Sequence, residues 1–183
     1  PANNNPSLFD QALALQEQNR HQEAADIYKQ CLKHNINDAA VWSNLGTALR
    51  KTGHFEASAA ATWRSLELRP GQAPYLTNYG NTLTDMDRKE EAIKAHTAAV
   101  YAEPESFLYR KNFACTLREF GEYELALRQL NIALEMNPED VNLQFDRAVV
   151  YLHLANFEKG WKEFEVRHKL PEWKGRLSNA PYW

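Results

Sequence analysis

Cysteine is nearly absent: Cys31 and Cys115 are the only two in 183 residues, too few for a disulfide framework. Seven glycines and eight prolines are likewise too few for a linker-rich or low-complexity chain. No apolar run is long enough to span a bilayer, so no membrane association is expected. Charge of one sign is missing too. With 21 Lys and Arg against 24 Asp and Glu, the formal net charge of -3 gives a nucleic acid nothing to hold. The opening Pro1-Ala-Asn-Asn-Asn-Pro6 has neither the basic region nor the apolar core of a secretion signal, and a cytoplasmic address is expected. Because the chain does not begin with Met, it reads as a processed or partial protein.

The motifs of chemistry are also lacking. His21, His34, His54, His96, His153 and His168 never pair at i, i+4, so no helical metal site is signalled. Glu165-x-x-His168 stands alone, where a di-iron bundle needs two such pairs and two further Glu residues. No Gly-rich phosphate loop, Gly-x-Ser-x-Gly elbow or Cys-x-x-Cys occurs. No catalytic residue, metal or cofactor is expected, and the chain is not read as an enzyme.

What is present is a repeat. Pro70, Pro104 and Pro138 lie 34 residues apart, as do Asn44, Asn78 and Asn112, and as do Leu49, Leu83 and Leu117. Gly53 and Gly121 are two periods apart, with Asp87 between them. In register the chain divides into 5–38, 39–72, 73–106, 107–140 and 141–174 without insertion or deletion, leaving a short extension (1–4) and a tail or linker (175–183). Each copy reads as two amphipathic helices. Val41, Leu45, Ala48 and Leu49 supply one apolar face, and Gly53 ends that helix in a turn requiring positive φ. Phe55, Ala59, Trp63 and Leu66 carry the apolar face of the second helix, and Pro70 stops it. Asn5 before Pro6, Asp38, Ser106 and Asp140 stand at the helix starts as N-caps. Ala24, Ser58, Ala92, Ala126 and Gly160 recur where the two helices must approach closely.

Trp42-x-x-Leu45-Gly46-x-x-Leu49 and Ala24-x-x-x-Tyr28 resemble the helix signatures of the tetratricopeptide repeat family. His96 and Leu130 replace its aromatic, Ser58 and Thr62 replace its Ala and aromatic pair, and Ile36 stands where Pro is usual. The resemblance implies an all-α fold, a right-handed α-solenoid of five helix-turn-helix repeats. It also implies a concave groove, lined by the first helix of each repeat, that receives an extended peptide or partner protein.

The register places Asp10, Asn44, Asn78, Asn112 and Asp146 at the sixth position of successive copies. A file of amides offers donors and acceptors to a peptide backbone, as in the asparagine ladder of O-linked N-acetylglucosamine transferase; the competing reading has each Asn bonding the adjacent repeat. Around them Ser43, Thr47, Arg50, Lys51, Thr77, Asn81, Lys111 and Arg118 are polar groove candidates, diluted in charge by Asp85 and Glu119. Lys111 and the Asn residues match only part of the carboxylate clamp of chaperone-binding relatives. Cys31 reads as packing and Cys115 as groove-facing.

At equivalent positions the ends carry Phe9 and Leu13, and Phe145, Val149 and Leu152. Either the terminal segments cover them or they mark self-association into a homo-oligomer. Gly160-Trp161-x-x-Phe164-Glu165-x-Arg167, Leu170-Pro171 and Pro181-Tyr182-Trp183 resemble the closing repeat of bacterial tetratricopeptide proteins fused to a glycosyltransferase-like domain. Two functions follow: a protein-interaction scaffold, or the acceptor-recognition or regulatory arm of a bacterial glycosyltransferase.

Overall fold

A computed structural model describes residues 7–173, and among these every regular element is helical. The chain divides into two compact units, Pro1–Glu103 and Pro104–Trp183. In the first unit six helices form three hairpins: α1 (Leu8–Glu17) with α2 (His21–His34), α3 (Ala39–Lys51) with α4 (Phe55–Leu68), and α5 (Ala73–Asp85) with α6 (Lys89–Ala102). The second unit holds α7 (Phe107–Glu119) with α8 (Tyr123–Met136) and α9 (Val141–His153) with α10 (Phe157–Phe164). Two 3₁₀ segments, Glu165–Lys169 and Pro171–Trp173, follow α10.

The turn inside every hairpin is the same. Asn19, Gly53, Asp87, Gly121 and Ala155, each one period apart, all have φ between 56° and 80°. The next residue closes the helix by donating to the carbonyl five back: Arg20 to Leu15, His54 to Leu49, Arg88 to Leu83, Glu122 to Leu117 and Asn156 to Tyr151, at 2.8–2.9 Å. Only two of the five are glycine. Asn and Asp tolerate the left-handed region, whereas Ala155 bears a cost of about 1–2 kcal/mol for it.

Helix starts follow the capping chemistry of the sequence in part. Asp38 accepts from the Ala40 and Val41 amides and Asp140 from that of Leu143. Ser106 occupies its N-cap without a side-chain bond. The first helix is capped by Ser7, which forms a reciprocal capping box with Asp10. Asn5 and Pro6 lie outside the described residues, as does the 174–183 tail.

Close approach within each hairpin occurs at the small residues. Ala24, Ser58, Ala92 and Ala126 are wholly buried, and a Cβ on Gly160 would stand 2.5 Å from Leu152 Cδ2. Two expectations are corrected. Trp63 is 52% exposed rather than part of the buried stripe; Ser58, Ala61, Thr62, Ser65 and Leu66 fill the inward face of α4. The three hydroxyls are buried because each is hydrogen-bonded, Ser58 to the Gly46 carbonyl, Thr62 to that of Ser58 and Ser65 to that of Thr62. The last second helix is also short. It stops at Phe164 and passes into the 3₁₀ segment Glu165–Lys169. Pro171, which has no N–H and whose ring excludes the helical carbonyl of Arg167, keeps the chain from resuming an α-helix there.

Candidate functional site in the first helices of the hairpins

In the first unit α3 lies beside α5, so their outer residues share a surface. Asn44, Thr47, Asn78 and Asn81 are half-buried there, and Lys51 is exposed. Ser43 and Thr77, read as groove-facing, are instead buried. Ser43 serves as an anchor between hairpins, since Asn78 Nδ2 donates to its Oγ at 2.9 Å and so ties α5 to α3. Asn44 sits one period earlier, where the residue equivalent to Ser43 is Phe9. Among the described residues none hydrogen-bonds the side-chain amide of Asn44 or Asn81.

Arg50 is likewise engaged. Its Nη1 lies 2.8 Å from Asp85 Oδ2, so the acid that dilutes this surface holds its cation directly. Both side chains keep part of their exposure, and such a pair contributes at most about 1 kcal/mol.

In the second unit α7 and α9 are neighbours. Arg118 Nη1 pairs with Asp146 Oδ1 at 3.1 Å, and the Cys115 thiol points to Asp146 Oδ2 at 3.9 Å. Burial raises the Asp146 carboxyl above its ordinary range, while Arg118 and Lys111 pull it back. Burial, reinforced by Asp146, pushes the Cys115 thiol up to about 11, so it is held as the unreactive thiol. Cys31 is half-buried against the core, where burial again raises its pKa. Lys111 and Asn112 are half-buried on α7.

The apolar end residues are occupied within their own units. Phe9 tilts against Tyr28 at 6.0 Å, and Leu13 is half-buried on α1. Phe145 packs on Phe164 at 5.2 Å and on Trp173 at 6.5 Å. Leu152 lies against Gly160, and Val149 is half-buried. Trp173 therefore covers part of the final hairpin, while Trp161 on α10 remains 58% exposed. What sequence reasoning missed was a pairing: Asp85 and Asp146, both already among the groove positions, are the partners of Arg50 and Arg118. Their signal was an unlike charge one stacking step away, 35 and 28 residues along the chain.

Among the described residues no group of three or more His, Cys, Asp and Glu is placed to hold a metal ion. No helix there is long and apolar enough to cross a membrane.

Comparison with known proteins agrees with the architecture. Protein FlbA of Caulobacter vibrioides is 28% identical over 171 residues, which is 93% of this chain but 22% of that protein. The chain thus spans about a fifth of the curated relative it matches. Among solved structures, MamA MSR-1 has a TM-score of 0.70 at 22% identity, covering 90% of this chain and 95% of its own. YrrB has a TM-score of 0.68 at 17% identity, covering 90% and 85%. Profiles of the tetratricopeptide repeat match residues 9–73 and 111–160, and a second such profile matches 73–106. The chain belongs to the tetratricopeptide repeat family.

Proposed function

We propose that this chain is a protein-interaction module that holds an extended peptide, or a segment of a partner protein, against the first helices of its hairpins. The observation that carries the reading is the contrast between neighbouring amides. Asn78 is committed to Ser43, whereas Asn44 and Asn81, on the same pair of packed helices, retain their donors and acceptors for a ligand backbone. Bonds from one hairpin to the next, Asn78 to Ser43 and Arg50 to Asp85, pre-organise the surface that would receive it. YrrB, similar in fold, is described as a TPR protein with an unusual peptide-binding site. The groove candidates of the second unit, Lys111, Asn112 and Arg118, extend the same role; Arg118 acts there through its pair with Asp146.

The test is selection of peptides from a phage-displayed random library by the intact chain. Asn44→Ala combined with Asn81→Ala should weaken the selected peptides about 10–30-fold, as two lost hydrogen bonds imply, with melting unchanged. Undiminished binding by that variant refutes the reading.

A second reading makes the chain the acceptor-recognition or regulatory arm of a bacterial glycosyltransferase. It rests on the closing residues Gly160 to Pro171 alone, since Pro181-Tyr182-Trp183 lie outside the described residues. The exposed Trp161 on the last helix leaves an aromatic surface that such an arrangement would cover.

A further inference from the structure

Two register places on the second helix are covered in each of the first four hairpins. Phe55 and Tyr123, for example, are half-buried at the first place, and at the second Ala25 is buried and Leu127 half-buried. In the last hairpin the same two places are Phe157 and Trp161 on α10, and each is 58% exposed. Trp161 is steadied edge-on by Phe164 at 5.7 Å. The final hairpin therefore opens two large aromatic side chains, one helical turn apart, where the others are closed. Such a pair gains by being covered.

In the regular stack the first helix of the next hairpin closes such a face. Within the first unit α5 does so, Asn78 bonding Ser43 of α3 and Thr82 bonding Ser58 of α4. In the last hairpin that berth is already taken. Phe145 stands at the place of Ser43, and Trp173 packs on it at 6.5 Å and on Phe164 at 6.2 Å. Leu170 beside them is buried, and the Arg167 guanidinium lies over the Phe164 ring at 5.0 Å. The 3₁₀ segments thus stand where a sixth first helix would stand, and a hairpin stacked there in register would meet Trp173. The first copy is no mate for the aromatic pair either. Ser7, Ala14 and Gln18, exposed there while the same places are covered in the other four copies, are polar or small. An occupant of Phe157 and Trp161 must come onto the outer side of α10 alone, and it must be apolar itself.

We propose that a second copy of this chain covers the face, its own α10 lying antiparallel across the first about a two-fold axis. The exposed residues of α10 are self-complementary in that arrangement. Phe157 and Trp161 are four residues apart, and so are Glu158 and Lys162, both exposed beside them. A two-fold axis passing by residues 159–160 sets Phe157 against the second copy's Trp161 and Glu158 against its Lys162, and each contact occurs twice. Rings meet rings, and unlike charges meet at the rim. Neither Glu158 nor Lys162 is in an ion pair with another described residue, so both charges are available. One short helix from each copy buries less than the roughly 800 Å² a side of a standard interface, so the dissociation constant is on the order of 100 μM. None of the groove residues lies on α10, and this surface stands independently of the proposed peptide binding.

The test is sedimentation equilibrium of the 183-residue chain from about 10 μM to about 1 mM. The weight-average mass should climb from 21.1 kDa towards twice that value and stop there, as a closed two-fold pair requires. Trp161→Glu, at an exposed position, should weaken association at least about tenfold with melting unchanged. Glu158→Lys and Lys162→Glu each set like charges face to face and should each weaken it about three- to tenfold. An equimolar mixture of those two variants, or one chain carrying both exchanges, should recover the original strength. A monomer throughout overturns the proposal, as does a mass that grows past the dimer or an association that Trp161→Glu leaves intact. Failure of the mixture to recover overturns the antiparallel pairing. If the chain stays monomeric until residues 174–183 are deleted, its own tail holds the face and the second copy is excluded.

Discussion

Repeats two and three of the first unit solve with opposite chemistry a packing problem that repeats four and five of the second unit share. The first repeat, with buried Ala12 and Tyr28 at the same register, follows the second unit's solution. Where the two helices of a hairpin meet, repeats two and three pair glycine with a polar side chain: Gly46 faces Thr62 and Gly80 faces His96. At the same register, repeats four and five carry Ala114 with Leu130 and Ala148 with Phe164. All four second-helix residues fill one slot, so what the repeat demands there is volume matched across the hairpin. The Thr62 filling adds a bond that Leu130 and Phe164 cannot make, its Oγ1 donating to the Ser58 carbonyl at 2.9 Å, and the neighbouring Ser58 adds two more. Ser58 Oγ donates to the Gly46 carbonyl at 2.7 Å and shares a 2.8 Å bond with Thr82 Oγ1, joining the second hairpin to the third.

The largest expected effect exploits His96. Its ring is wholly buried, and burial pushes its pKa from 6.5 down to about 4. Below pH 6.5 the unfolded chain takes up a proton that the folded chain declines until about pH 4. Stability from the neutral ring is therefore complete above pH 6.5 and lost as pH falls through that window, by up to about 3 kcal/mol. His96→Leu, which copies the filling of repeat four, should remove this part of the pH dependence. Urea unfolding of both proteins between pH 7 and pH 4 measures the difference. Parallel curves would show that the slot is protonated at no cost and that the polar and apolar repeats behave alike.

Next in size is the glycine opposite Thr62. A Cβ on Gly46 would stand 2.3 Å from Thr62 Cγ2 and 3.2 Å from the Ser58 carbonyl oxygen, so both side chain and backbone must yield. Gly46→Ala should destabilise by about 2 kcal/mol, overpacking outweighing the gain of roughly 1 kcal/mol in helix propensity. Adding Thr62→Ala relieves the side-chain clash and should restore most of the loss, a coupling readable in a double-mutant cycle of melting temperatures. Additive losses would place the constraint in the backbone approach to Ser58 instead.

These contrasts explain which parts of the molecule were legible in sequence. The period, the hairpins and the contacts at Ala24, Ser58, Ala92, Ala126 and Gly160 were readable, because each depends on residues within one repeat. Trp63 was misplaced because a periodicity argument favours large apolar side chains for the interior. It gives no credit to Ser58, Thr62 and Ser65, which bury themselves by bonding to nearby carbonyls. The period carries the fifth copy to residue 174 and so gave no sign that α10 ends at Phe164 and continues as a 3₁₀ segment. The state of Arg50 and Arg118 was hidden for a different reason. Their acids lie on the next hairpin, and only stacking brings Asp85 and Asp146 within reach.

The smallest effect separates two asparagines that the repeat register makes equivalent. Asn78 donates to the buried Ser43 hydroxyl, while one repeat earlier, at the place equivalent to Ser43, the chain has Phe9, whose side chain offers no acceptor to Asn44. Asn78→Ala should therefore cost about 1 kcal/mol of stability, and Asn44→Ala close to nothing. Ser43→Ala should cost a similar amount to Asn78→Ala, and the pair together little more than either alone, because both remove one bond. Thermal unfolding of the four variants tests this directly. Equal losses at positions 44 and 78 would mean that both amides are structural, and the ligand-binding role proposed for Asn44 would fall with that result. Loss at Asn78 alone would leave the register holding two functions in one residue type, with the residue five places into the preceding repeat deciding between them.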